Sequence, residues 1–314
     1  MYKTKNKLLF SLTILLTILI SGCSSKPSFA PETLSLLTPR FGHAAVNDGK
    51  KIYVLAGANG SGFLSDIEII DPISGKTKVL PDLLIPRRYF STVWDGAHSI
   101  YIIGGVSLVD NKFRYEHRVE VFDTLTHEVA FAKPLPGPTR INSAVFLEGR
   151  IFVFGGAYPT KEKLTASALV GVFDTNLDKW LRAANMPTAK TTRAVARDGL
   201  IYVIGGYDRT SSLDVFERFD PKTNKWQSLP PMPDKISAHS VTLIKDKLYT
   251  FGDYNNLTST YCYDFATSQW QKVNLDYKAS RHNAVTTLNG ITYVIGGNAG
   301  SAGPFLDYIQ TFKL

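Results

Sequence analysis

Apolar and polar positions alternate along most of the chain in short runs that break at glycine, aspartate or asparagine. The run IYVIGG at 201–206 has near-copies, IYIIGG at 100–105 and TYVIGG at 292–297. A period of two puts every second side chain on one face, so these runs predict β-strands. The second residue of each glycine pair, or its stand-in, falls at Gly57, Gly105, Gly156, Gly206, Asp253 and Gly297, with gaps of 48, 51, 50, 47 and 44 residues. Periods near 50 mark a repeat architecture, so the chain reads as six copies of one unit.

Other positions keep step with the glycines. Four residues ahead stands an aromatic: Tyr53, Tyr101, Phe152, Tyr202, Tyr249 and Tyr293. Before it comes a tight-turn pair: Asp48-Gly49, Asp95-Gly96, Glu148-Gly149, Asp198-Gly199, Asp246-Lys247 or Asn289-Gly290. Such pairs tolerate positive φ and predict hairpins. Downstream, a third strand ends in an apolar residue and aspartate at Asp71, Asp123, Asp174, Asp220 and Asp264, each expected to close a turn by bonding backbone N–H groups. Six residues later stand Trp180, Trp226 and Trp270 in the later copies, placed to pack between neighbouring units. Each unit therefore reads as four antiparallel strands, a to d. Strand a carries small residues (Ala44, Ala45, Ala144, Ala194, Ala238, Ala284), as the crowded inner strand of a radial array requires. The pairs Gly104-Gly105, Gly155-Gly156, Gly205-Gly206 and Gly296-Gly297 end strand b, where a side chain would obstruct a close neighbour.

Strand–Gly-Gly, then apolar-Asp, then Trp six residues on, repeated in register, resembles the Kelch family of β-propellers over about residues 33–312. The resemblance implies an all-β fold, a six-bladed Kelch-type propeller over 31–314. Departures are Ala56-Gly57, Gly252-Asp253, and Thr77 and Val129 where the first two copies lack tryptophan. The sixth copy stops at Leu314 without a strand d, while Glu32 to Leu37 precedes the first copy as a strand d would. The N-terminal segment is therefore expected to supply the missing outer strand and close the ring, removing open edges. An open solenoid would want dedicated caps.

One stretch does not fit the repeats. Lys3, Lys5 and Lys7 precede a 13-residue apolar run, Leu8 to Ile20, followed by Ser21-Gly22-Cys23. That run falls short of the roughly 20 residues a spanning helix needs. Basic head, short apolar core and small-residue exit predict a secretory signal over 1–22. Ile20 to Cys23 resembles the lipobox of bacterial lipoproteins, which implies cleavage before Cys23 and acylation of its thiol; an ordinary signal with an incidental cysteine is the alternative. Residues 23–30 then form the lipidated cysteine and tether, and the expected location is the membrane of the cell envelope, the outer membrane facing the periplasm in a two-membrane bacterium. Without its three lysines the remaining chain carries +5 rather than +8, with no basic run, so nucleic acid is not an expected partner. With Cys23 acylated, Cys262 is the one other cysteine, so no internal disulfide framework is available. A monomer without cofactor is expected.

Candidate chemistry gathers on one face. A base recurs as strand a begins, at Arg40, Arg87-Arg88, Arg140, Lys190, Lys235 and Arg281. The Kelch resemblance implies a ring of bases, Arg40, Arg88, Arg140, Lys190, Lys235 and Arg281, at the mouth of a central channel, where such arginines contact acidic ligands or peptides. The other reading pairs each base with a nearby acid. Tyr158, Tyr207 and Tyr254 follow strand b on the same face and either stack on a sugar or anchor loops. The b–c loops there differ in length, with 106–118 and 157–167 long and 207–213 short. Six histidines (43, 98, 117, 127, 239, 282) form no HExxH, those at 43, 239 and 282 fall in non-equivalent registers of strand a, and no metal site is expected. Glu68, Glu120 and Glu217 recur three before the strand-c aspartate, a periodicity that argues for structure. Two function classes fit: a lipid-anchored module binding a protein, peptide or acidic glycan, or an enzyme resembling the exported Kelch proteins that interconvert sialic-acid anomers. No residue here takes that enzyme's acid/base role, and fold alone does not dictate chemistry, so binding is the expectation.

Overall fold

The computed structural model describes residues 34–110 and 112–314. The signal, Cys23, the tether and Glu32-Thr33 lie outside the described residues. Among those described there is no helix. The first sheet pairs Ala44–Asn47, Ile52–Asn59, Gly62–Ile70 and Thr77–Leu80 in chain order, all antiparallel. Four more four-stranded sheets repeat this order, with inner strands Ser91–Trp94, Ser143–Leu147, Thr191–Arg197 and Ser240–Ile244. The last sheet has three strands, Ala284–Leu288, Ile291–Ile295 and Ile309–Phe312. Two small additions fall in the long b–c loops: a hairpin of Val106–Val109 and Lys112–Tyr115 that pairs with Arg87–Arg88, and one of Ala157–Pro159 and Leu164–Ala166.

Local chemistry sets the turns as the residues predict. Glu148-Gly149, Asp198-Gly199 and Asn289-Gly290 all take positive φ, the geometry of a tight a–b hairpin. Asp71, Asp123, Asp174, Asp220 and Asp264 each accept backbone N–H bonds from the residues two and three further on. The indole N–H of Trp180 donates to Lys133 O (2.8 Å) and that of Trp226 to Ala184 O (2.9 Å), each just beyond the outer strand of the preceding sheet. These tryptophans thereby tie consecutive sheets together.

The core lies between sheets. Leu55, Ile67 and Ile69 of the first sheet meet Ile100, Ile102 and Phe122 of the second, and like clusters join each sheet to the next. A sixth cluster joins the last sheet to the first through Tyr293, Ile295, Ile309, Ile52 and Val54, with Leu36 packed in it. Each fully buried side chain of this kind contributes about 1.5–3 kcal/mol. Cys262 belongs to this core, where burial pushes its thiol up.

The glycine pairs mark the closest approach of neighbouring sheets. A Cβ on Gly155 would stand 2.3 Å from Lys190 O of the next sheet's entering loop, and one on Gly206 would stand 1.8 Å from Thr191 O of its own. Both glycines also have positive φ, so no other residue fits either place without moving backbone. Asp253 replaces the second glycine where φ is not positive, and its carboxylate accepts from the N–H of Ser237, Asn255 and Asn256. Radially repeated four-stranded antiparallel sheets, small inner strands and intersheet cores are the features of a β-propeller.

Candidate functional site

Cross-strand pairing separates the recurring bases into two registers. The residues opposite the one that follows each glycine pair are Phe41, Arg88, Arg140, Thr191 and Arg281, which pair with Ala58, Val106, Ala157, Tyr207 and Asn298. One residue earlier stand Arg40, Arg87 and Lys190. These three are fully buried and meet the repeat glutamates. Arg40 contacts Glu68 at 2.6 Å and Asp66 at 2.7 Å, Lys190 contacts Glu217 at 2.6 Å, and Arg87 contacts Glu120. Each glutamate also accepts from the entering loop: Glu68 from Leu37 N and Thr38 N, Glu120 from Ile85 N, Glu217 from the Thr188 hydroxyl. Arg40 and Arg87 donate in addition to the carbonyls of Ala56 and Gly104 at the strand-b corner (both 2.9 Å). Burial lowers Arg87 and raises Glu120 against their mutual attraction, and it lowers Lys190. Arg40 and Lys190 therefore do not line a mouth: they are struts, as the periodicity of the glutamates implied. Lys235 stands apart from both groups, exposed on the surface.

The later register behaves differently. Arg88, Arg140 and Arg281 have no carboxylate within ion-pair distance among the described residues. They lie instead among rings. The Arg88 guanidinium sits 5.0–6.0 Å from the ring centroids of Phe41, Phe63, Tyr89 and Phe113; Arg140 is 5.7 Å from Tyr89, and Arg281 is 3.9 Å from Tyr254. Arg281 also donates to Tyr254 O at 2.7 Å. His282 fills the middle, 5.1 Å from Tyr89, 6.2 Å from Tyr254 and 6.5 Å from Phe41. Burial, then Arg193, Arg281, Arg88 and Arg140, push its imidazole down to about 3, so it is neutral. Burial lowers Arg140 as well. Guanidiniums without an acid partner have the chemistry to bind a carboxylate bidentately.

Of the candidate stacking residues, only Tyr254, 48% exposed, belongs to this cluster. Tyr207 pairs with Thr191 and lies 5.4 Å from Arg209. Tyr158 stands one residue further along its strand and lines an apolar cavity of about 230 Å³ with Leu135, Pro136 and Leu169.

The backbone beneath the arginines is itself linked. Gly42, Tyr89, Ile141, Ala238 and His282 all have positive φ, and their N–H and C=O groups bond from sheet to sheet: His282 N to Ala238 O, Gly42 N to His282 O, Tyr89 N to Gly42 O, Ile141 N to Tyr89 O (2.7–3.0 Å). The fourth sheet interrupts the series, where a bulge lies between Thr191 and Arg193.

Deeper still is a channel of about 120 Å³, lined by the starts of the inner strands of all six sheets. Three residues after the strut positions stand His43, Phe90, Asn142, His239 and Asn283, all but His239 in its wall; Arg193, at the same offset, also lines it, but a bulge moves it to pair with Ile204. His43 and His239 are thus equivalent, contrary to the expectation from the sequence; each packs over the first glycine of the neighbouring sheet's pair, Gly296 or Gly205. Burial pushes both imidazoles down to about 3. Among the described residues no three His, Cys, Asp or Glu side chains form a metal site. Arg193 escaped the sequence reading because it lies outside the run of bases, and the bulge that moves it along its strand leaves no mark in the sequence.

A family model described as the KLHDC2/KLHL20/DRC7 Kelch-repeats domain matches residues 142–314, and a Kelch motif model matches residues 39–83. Kelch-like protein 25 of Xenopus tropicalis is 26% identical over 216 residues, covering 64% of this chain and 35% of that protein. Kelch-like protein terF of Aspergillus terreus is 22% identical over 256 residues, 74% of this chain and 56% of that protein. A putative F-box/kelch-repeat protein of Arabidopsis thaliana is 30% identical over 197 residues, 59% and 56%. The chain thus matches between 35% and 56% of the length of these relatives.

Proposed function

The chain belongs to the Kelch-repeat family, and on that premise we propose a six-bladed propeller that binds an acidic group of a protein or peptide at the mouth formed by Arg88, Arg140 and Arg281. The observation that carries this reading is that these three arginines, unlike the buried and paired Arg40, Arg87 and Lys190, have no carboxylate within ion-pair distance among the described residues. Tyr254 stacked on Arg281 would equally suit the carboxylate of an acidic glycan, which is the second occupant to test. The enzymatic reading needs a free acid or base beside the arginines, and the three repeat glutamates are all held in buried pairs.

Ring closure by the N-terminal strand draws support from several contacts. Ser35 bridges Tyr308, Leu36 N donates to Asp307 O at 2.6 Å, and Gly297 N of the last sheet donates to Arg40 O at 2.8 Å. Closure leaves no edge strand to template aggregation. At the other end, we assign Cys23 as the acylated anchor that holds the propeller at the cell envelope, on the outer membrane where there are two, because Ser24 follows it. Wild type is then expected to partition with membranes and to resist washing in plain buffer, whereas Cys23→Ser stays unprocessed or soluble. A wild type that washes off overturns the anchor and leaves the mouth untouched.

The test of binding is a peptide and glycan array graded in carboxylate content, read with wild type and with Arg140→Ala/Arg281→Ala. Signal should rise with acidity and fall by tenfold or more in the double variant, since charge-assisted bonds contribute about 1.5–3 kcal/mol each. Signal independent of acidity, or equal in both proteins, contradicts it.

A further inference from the structure

Arg193 is a cation inside the channel that none of the roles above employs. The bulge between Thr191 and Arg193 shifts the strand register here, and the residue that would continue the backbone series of the other sheets is displaced. Arg193 consequently pairs with Ile204, the place that Ala44, Ser91, Ser143, Ser240 and Ala284 fill in the other sheets, and lines the channel there. One of its terminal nitrogens donates to Thr192 O at 3.0 Å. Among the described residues no carboxylate lies within ion-pair distance of it, and no Asp or Glu lines the cavity. Arg40, Arg87 and Lys190, the fully buried bases among the described residues, each hold an acid, whereas the partly buried Arg193 holds none and is open to a counter-charge from outside.

The walls suit an anion. Ser91 and Ser240 line the same space, and both hydroxyls are buried without a protein partner, as are the carbonyl oxygens of Asn142 and Asn283. A hydroxyl turns to donate or accept as its neighbour requires. The cavity of about 120 Å³ has room for several waters, or for a small anion with water beside it that serves the amide oxygens. Burial, unopposed by any charge, lowers the Arg193 guanidinium to about 10, so it remains charged at neutral pH.

We propose that the channel is an anion site in its own right, in which Arg193, with the hydroxyls of Ser91 and Ser240, holds one compact monoanion of chloride or carboxylate size. It is separate from the mouth and does not depend on the binding reading. A bulky ligand that spans the mouth would not fill it; a formate or chloride ion would.

The full-length chain is melted at fixed ionic strength while sodium gluconate, a bulky anion, is replaced by chloride or formate. Wild type and Arg140→Ala/Arg281→Ala should both gain stability saturably, on the order of 3 °C at ten times Kd. Arg193→Met should show no gain, and in gluconate it should melt no lower than wild type, because a partly buried charge without an acid has been removed. Bromide-soaked crystals should show an anomalous peak beside the Arg193 guanidinium. An equal gain in Arg193→Met, no gain in any protein, or bromide bound only at the mouth overturns the site. Should Arg193→Met fail to fold, Arg193→Gln and the bromide position decide the question alone.

Discussion

Arg87 and Arg88 are neighbours in the chain and opposites in the fold. Arg87 is fully buried, bonded to Glu120 and to the strand-b corner at Gly104. Arg88 has no acid among the described residues and rests among four aromatic rings. The period of two along an extended chain sends successive side chains to opposite sides, and only one side of this strand faces a third-strand glutamate. The same split holds between Lys190 and the later register, and between Arg40 and Phe41. A run of bases therefore carries two kinds of information at once. What separates the struts from Arg88, Arg140 and Arg281 is a counter-charge, present at the first and absent at the second among the described residues.

Breaking the struts should have the largest effect. Glu68→Ala strips acceptors from Arg40, Leu37 N and Thr38 N together, leaving a buried charge and loosening the N-terminal segment. A loss of about 3–5 kcal/mol in urea unfolding is expected. Lys190→Ala should cost less than that but still several times an ordinary surface change, whereas Lys190→Met with Glu217→Leu should recover most of the loss, since both charges leave together. A strut truncation no worse than a surface substitution would erase the distinction between the two registers.

Acid should come next, through the imidazoles beneath the mouth. His43, His239 and His282 are pushed down to about 3 by burial foremost, so they are neutral when folded. Unfolded, each takes a proton near pH 6.5, so below that pH the unfolded chain holds more protons and stability falls progressively toward pH 3. The slope is about 1.4 kcal/mol per pH unit for each fully buried imidazole. The turn aspartates Asp71, Asp123 and Asp264, whose carboxyls are lowered by backbone N–H donors, keep their contribution until pH falls into the carboxylate range. Melting temperature between pH 7 and 5 should therefore drop in wild type and drop less steeply in His239→Gln. Equal slopes would show that these imidazoles are already solvated.

Much of the fold was legible because its devices are local. Turn aspartates, glycine corners and tryptophans act within a few residues of their sequence position, and a period near 50 repeats them. The split between the two registers was not legible, for a backbone reason. Tyr89, Ile141, Ala238 and His282 adopt positive φ directly after the arginine register, so strand alternation cannot be counted through the entering loop. Counting through it merged Arg40 and Lys190 with Arg88, Arg140 and Arg281, and split His43 from its true equivalent His239. Arg193 was hidden similarly, since the bulge that exposes it to the channel leaves no mark in residue type.

The smallest structural effect belongs to the most direct test. Arg140→Ala/Arg281→Ala removes two guanidiniums that hold no acid, so its melting temperature should stay within about 2 °C of wild type. Affinity for the best acidic peptide from the array is measured on the same samples. A fall of tenfold or more at unchanged melting temperature is expected if the unpaired register is the receptor. Unchanged affinity, or a loss that only follows a collapse in melting temperature, would show that these arginines are struts like their neighbours.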